Sequence, residues 1–186
     1  MPGGRRRPPV IDSRVVDTNV LIVASAADDG SPFRPEATPV EEAQLRQRVL
    51  DWLINFEADA GCHVVLDYDW RICGEYRNKL TDQDYGWMAI MAKNDRNEVV
   101  WIAIDVDVDG HGVVPDRVAP AITDLADRKM VTAVLAALGA GHTCKLTNAC
   151  DTDWLDCANT LAELGIETEH IIEDWLRTKW NLKGRR

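Results

Sequence analysis

Asp17, Glu75, Asp127, Asp151 and Asp153 are the side chains whose surroundings in the sequence suggest chemistry. Asp17 interrupts Val15-Val16-Asp17-Thr18-Asn19-Val20-Leu21-Ile22, a segment otherwise apolar enough to be buried. A buried carboxylate is costly unless it is paired, hydrogen-bonded or bound to metal. Asp127 shares a helical face with Val131, Val134 and Leu138, which places it on an apolar stripe directed inward. Asp151 and Asp153 follow a short apolar segment at alternate positions, and an extended chain sends alternate side chains to the same side. Together these acids suit a carboxylate metal site. Each also has a local alternative: an Asx-type turn for Asp17, favourable charge at a helix N-terminus for Asp127, a cap before Trp154 for Asp151 or Asp153, and a solvated acid paired with Lys79 for Glu75.

The elements that must position these acids alternate between strand and helix. Val15, Val16, Val20, Leu21 and Ile22 read as one strand buried on both faces, which implies a covered parallel sheet. A polar connection over 28–39 leads to a helix start at Thr38-Pro39-Val40-Glu41, with Thr38 as cap and Glu41 completing a capping box. Leu45, Val49, Trp52, Leu53 and Phe56 give that helix an apolar face before Gly61. Residues 63–66 read as a second strand, and 70–80 and 84–93 as helices. A β-rich stretch around 98–114 follows, with Asp105, Asp107 and Asp109 alternating with valines before a glycine turn. Thr123 or Asp124 caps the next helix, which ends at Gly139 and Gly141. A strand at 145–147, a helix at 154–164, a strand at 166–172 and a terminal helix complete an α/β pattern with a mostly parallel sheet. In such a sheet, acids just after strands or at the starts of helices converge beyond the strands' carboxyl ends.

Composition narrows the classes. The 186 residues fit one domain over 14–180, between a flexible basic arm at 1–13 and a basic tail at 181–186. No apolar run approaches the roughly 18 residues that span a bilayer. The MPGGRRRPP start lacks the apolar segment of a secretory signal. Cys62, Cys73, Cys144, Cys150 and Cys157 are odd in number and form no C-x-x-C pair, which fits reduced thiols in a cytoplasmic protein. The formal charge is −10 although Arg5, Arg6, Arg7, Lys183, Arg185 and Arg186 cluster at the two ends, so the body is more acidic still. That argues against a broad duplex-binding face, while the basic ends suit phosphate contacts.

VVDTNVLI at 15–22, CGEYRNKL at 73–80, ITDLADRKMVTAVLAAL at 122–138 and LTNACDTDW at 146–154 resemble, in this order, the four acidic motifs of PIN-domain nucleases. The D-T-N after a hydrophobic strand and the D-R-K before a small-residue helix carry most of the likeness. The resemblance implies a three-layer α/β/α sandwich whose carboxylates bind Mg²⁺ or Mn²⁺ to hydrolyse RNA phosphodiesters. It assigns Asp17, Glu75, Asp127 and Asp151 as the acids, with Asp153 as a fifth, Thr18 or Asn19 orienting Asp17, and Asp124 and Thr147 supporting from the same motifs. Asn148, Ala149 and Cys150 separate Thr147 from Asp151 where the family's acid follows sooner, so Asp151 and Asp153 compete for the fourth place. An endoribonuclease of toxin, defence or RNA-processing type is the implied activity, with RNA as substrate and an antitoxin, another protein or a second copy as partner.

Four other readings compete. Asp105, Asp107, Asp109 and Asp116 fall at calcium-loop spacing, but the preceding residues are β-formers where that loop needs a helix. A phosphatase of the haloacid-dehalogenase type needs a second Asp where Asn19 stands. A triad hydrolase built on Cys150 and His142 lacks a nucleophile elbow. The fourth is a non-catalytic PIN-like module that binds RNA or assembles with other chains. Trp70, Trp87, Trp101 and Trp154 suit either base stacking or the core.

Overall fold

The computed structural model describes residues 9–184. Five strands form one all-parallel sheet among these residues: β1 (Asp12–Val16), β2 (Cys62–Asp67), β3 (Val99–Ile102), β4 (Thr143–Asn148) and β5 (Glu167–His170), in the order β3-β2-β1-β4-β5. Eight α-helices among the described residues connect and follow them: α1 (Thr18–Ser25), α2 (Ala43–Ala58), α3 (Arg71–Arg77), α4 (Tyr85–Asp95), α5 (Asp127–Gly139), α6 (Asp153–Asp156), α7 (Ala158–Glu163) and α8 (Glu173–Lys183). α1, α2 and α4 pack on one another while α5 lies across β1 to β4, giving a three-layer α/β/α sandwich.

Val15, Val16, Val64, Val65, Leu66 and Leu146 are wholly buried, because helices cover both faces of the central strands. Each such side chain contributes roughly 1.5–3 kcal/mol. Two local devices fix the layers. Gly86 on α4 lets that helix touch α1, since a Cβ there would stand 2.5 Å from the Leu21 carbonyl oxygen. Lys93 is fully buried yet satisfied, donating from Nζ to the Cys62 carbonyl at 2.7 Å and pairing with Glu98 at 2.9 Å.

From β1 the chain steps outward through β2 to β3, and α5 then carries it back to β4 on the other flank of β1. The connections therefore diverge on either side of β1. In open α/β sheets the crevice beyond the carboxyl ends at such a switch point is where ligands bind.

Several boundaries differ from the sequence reading. The strand drawn through Ile22 ends at Val16, and Val20, Leu21 and Ile22 belong to α1. Asp17 stops the strand because its side chain accepts the Asn19 N–H and starts the helix. The second helix begins at Ala43 rather than at the Thr38 capping box; Thr38 instead closes a local turn by accepting the Val40 N–H. The β-rich stretch around 98–114 supplies β3 and then only a Val106–Gly112 bridge around a turn, with no flanking helix of a calcium loop. α5 starts at Asp127, so Asp127 opens the helix instead of lying one turn inside it. The helix read over 154–164 breaks at Cys157 into α6 and α7. Residues 181–183 are the end of α8 rather than part of a tail, and β1 already begins within the stretch read as an arm. The arginines at positions 5–7, 185 and 186 lie outside the described residues. No helix among the described residues is long and apolar enough to cross a membrane.

Candidate metal centre at the switch point

Asp17 leaves the carboxyl end of β1, Asp151 lies in the loop after β4, and Asp127 opens α5 between them in sequence. The fold brings all three together: one carboxylate oxygen from each lies within 4.8 Å of the others. Asp17 is buried, and Asp127 and Asp151 are half-buried.

Asp17 is held on every side. Its backbone N–H donates to the Thr147 carbonyl at 2.9 Å, which extends the β1–β4 pairing by one residue. Its Oδ1 accepts the Asn19 N–H at 3.1 Å, and its Oδ2 accepts the Trp154 indole N–H. Tyr76 on α3 donates its hydroxyl to the Val16 carbonyl at 2.6 Å and so fixes the strand end from the other flank. Each oxygen of Asp17 retains lone-pair capacity after these bonds.

Asp151 is positioned through amides. Asn19 Oδ1 accepts the N–H groups of Ala149 and Cys150 at 2.9 and 3.2 Å, and its Nδ2 donates to Asn148 Oδ1 at 3.0 Å. Asn148 Oδ1 in turn accepts the Asp151 N–H at 3.1 Å, and Asn148 Nδ2 donates to the Asp151 carbonyl at 2.9 Å. The loop is thus folded around two asparagine side chains. Residues 148–150, which separate Thr147 from the acid in sequence, are the ones this arrangement uses.

Electrostatics follow from the crowding. Burial, then the charges of Asp17 and Asp151, push Asp127 up to about 8. Burial pushes Asp17 up to about 6 against the opposing hydrogen bonds from Trp154 and Asn19. Asp151 is also raised, mainly by burial. All three are raised first by burial, and neighbouring acids add to it: Asp17 and Asp151 act on Asp127, Asp151 acts on Asp17, and Asp153 and Asp124 act on Asp151. All-oxygen donors at this separation fit a hard divalent cation such as Mg²⁺ or Mn²⁺, which neutralises the same charge.

The remaining expected residues are distributed differently. Glu75 is outside the three-carboxylate group; its Oε1 is bonded by Lys129 Nζ, two residues beyond Asp127, rather than by Lys79. Asp153 turns away to pair with Lys183 at 2.7 Å and gives its backbone N–H to Asp151 Oδ1 at 2.9 Å. Between the two aspartates, Asp151 is therefore the one in the cluster. Thr18 opens α1, while Thr147 sends its hydroxyl to Glu169 Oε2 at 3.1 Å and serves Asp17 through its carbonyl. Asp124 is exposed and accepts the Ala126 N–H at 2.9 Å, closing the turn before α5.

Some participants escaped sequence reasoning. Trp154 and Tyr76 act at a distance through single hydrogen bonds, and nothing in local spacing reveals them. Asp67, buried at the end of β2, occupies the same kind of position as Asp17, but both of its oxygens are taken by the Arg71 and Ile72 N–H groups at the start of α3. Burial disfavours the thiolate of Cys150, pushing its thiol up to about 12, and the length of β4 separates it from His142. The five cysteines are free thiols.

No protein-family model, curated protein or solved structure matches the chain.

Proposed function

We propose that the chain is a metal-dependent endoribonuclease in which Asp17, Asp127 and Asp151 hold Mg²⁺ or Mn²⁺ and Glu75 supports them from α3. The supporting observation is the convergence of these three carboxylates beyond the carboxyl ends of β1 and β4. The likeness of four ordered acidic motifs to PIN-domain nucleases supplies the substrate class, RNA, and the toxin, defence or RNA-processing setting.

A cation of this kind acidifies water and stabilises negative charge building on a phosphodiester and its leaving oxygen. The chain's own residues prepare for that chemistry. Trp154 and the Asn19 N–H aim the Asp17 carboxylate, Asn19 and Asn148 hold the loop that presents Asp151, and α5 places Asp127 between them. Lys129, two residues beyond Asp127, holds Glu75. No side chain here is required as a covalent nucleophile; water fills that role.

Purified protein is expected to cut labelled single-stranded RNA with Mn²⁺ or Mg²⁺, and to lose the activity in chelator and as Asp17→Asn. Cleavage that survives both changes refutes the reading. RNA binding without cleavage under every metal condition supports the non-catalytic module instead.

A further inference from the structure

An aromatic cluster occupies the outer corner of the same sheet edge. Tyr68 follows β2 directly and is 65% exposed, and Trp70, two residues on, is 43% exposed. Both meet Trp101 of the edge strand β3: the Tyr68 and Trp101 rings stack at 6.0 Å with 18° between planes, and Trp70 lies 5.9 Å from Trp101 at 53°. Exposed aromatics grouped in this way form a recognition surface more often than scattered surface residues do. Trp70 also has φ 59 and ψ 26, a left-handed conformation that a bulky side chain rarely adopts. The other two candidate tryptophans are committed elsewhere, Trp154 in the core and Trp87 under the Arg77 guanidinium.

We infer that Tyr68, Trp70 and Trp101 form a stacking subsite for unpaired bases of a nucleic-acid strand whose backbone reaches the carboxylate centre. The inference rests on the reading of that centre as acting on RNA. Two observations favour a nucleic acid over a protein partner. Arg71, adjacent to Trp70, pairs with Asp69 only at 3.6 Å and through a buried Nε, while its side chain as a whole is 38% exposed, so part of its positive charge stays at the surface beside the rings for a phosphate. The cluster also continues the edge on which Asp17 lies, because β3 is two strands from β1 in a parallel sheet and all carboxyl ends face one way. Two strand spacings are about 10 Å, within the reach of a short single strand. Every base has a π-face, so such a platform prefers unpaired strands without reading sequence, whereas a duplex hides those faces.

Binding of fluorescein-labelled single-stranded RNA and of the same sequence as duplex, followed by anisotropy in chelator, tests this apart from catalysis. Tyr68→Ala and Trp101→Ala are each expected to weaken single-strand binding on the order of tenfold and to leave duplex binding unchanged, with Tyr68→Phe restoring affinity. Tyr68 is exposed enough for its alanine variant to fold even where Trp101→Ala does not. In Mn²⁺, the same variants should raise KM for cleavage and leave kcat near its original value. Unchanged single-strand affinity in folded Tyr68→Ala overturns the subsite and turns the patch into a protein contact, even where cleavage itself is observed. Loss of affinity in a protein that never cleaves supports the subsite and removes the nuclease reading.

Discussion

Trp154, wholly buried, donates its indole N–H to the carboxylate of Asp17 and thereby ties α6 to the end of the first strand. The bond stabilises the charged form of Asp17 against burial, which acts in the opposite direction. Trp154→Phe keeps an aromatic ring in the core and deletes the donor. The Asp17 carboxyl should then move further above about 6, and the acid limb of a pH–rate profile should shift to higher pH. Denaturant unfolding should report a loss of about 1.5–3 kcal/mol, the worth of a hydrogen bond to a charged group. An unmoved acid limb with intact activity would show that the indole contributes packing alone.

The same pKa displacements set a pH dependence of stability. Asp17 and Asp127 stand at about 6 and about 8 in the folded chain, above the ordinary 3.8, chiefly through burial. The folded protein therefore holds protons that the unfolded chain has released, and stability declines as pH rises from about 4 to about 8. Glu98, held down to about 2 by Arg96 and then Lys93, acts in the opposite sense but only in more acidic solution. In chelator the melting temperature should fall between pH 5 and pH 8, and Mn²⁺ should raise it more at pH 8 than at pH 5. A melting temperature that climbs across this range in chelator contradicts the crowded-carboxylate picture.

Asp127→Asn and Glu75→Gln separate the cluster from its support. Asp127→Asn removes one of three mutually repelling charges, so the metal-free protein should melt higher at pH 8 while its Mn²⁺-induced stabilisation and its cleavage disappear. Glu75 touches Lys129 rather than the cluster, and Glu75→Gln should lower activity by less than Asp127→Asn does while leaving the Mn²⁺-induced stabilisation in place. Equal losses in the two variants would place Glu75 among the direct ligands.

Asn19→Ala withdraws the acceptor of the Ala149 and Cys150 N–H groups and the donor to Asn148. Each partly buried group left without a partner costs about 1–3 kcal/mol. Activity should fall together with Mn²⁺ affinity, because the loop carrying Asp151 loses its template. Calorimetric titration of Mn²⁺ checks this; wild-type affinity in the variant would show that the loop holds its shape without Asn19.

Lys93 offers a test of the scaffold away from the chemistry. Its buried ammonium pairs with Glu98 and caps two carbonyls at the entrance of β2. Lys93→Met leaves the two buried carbonyls without their donor and Glu98 with Arg96 alone, and should destabilise the fold by about 1–3 kcal/mol for each unpaired buried carbonyl. Chemical denaturation gives the value, and a change below about 1 kcal/mol would mean that Arg96 alone satisfies Glu98.

The three clustered acids were legible in the sequence because their positions obey simple geometry: Asp17 beside an apolar strand, Asp127 on the apolar face of a helix, although that helix starts at Asp127 rather than a turn earlier, and Asp151 after another strand. The extent of the first strand was not, since Val20-Leu21-Ile22 is equally apolar in a buried helix, and short apolar runs do not distinguish the two periods. Asp17 itself makes the switch by capping α1. Glu75 was assigned by motif, but Lys129, 54 residues away, decides its partner. Trp154 and Tyr76 were invisible for the same reason: each reaches the β1 end across a long stretch of chain, and only the fold sets which atoms meet.

The central place of β1 also governs when the centre can exist. One flank of this strand is filled by β2, but the other stays open until residues 143–148 have been made, and Asp151 and Trp154 emerge later still. At roughly 5–20 residues per second, a ribosome spends many seconds between Asp17 and its last partner. A nascent chain therefore carries isolated acids rather than an assembled centre, and the message that encodes it is translated past Trp154 before the finished arrangement can form.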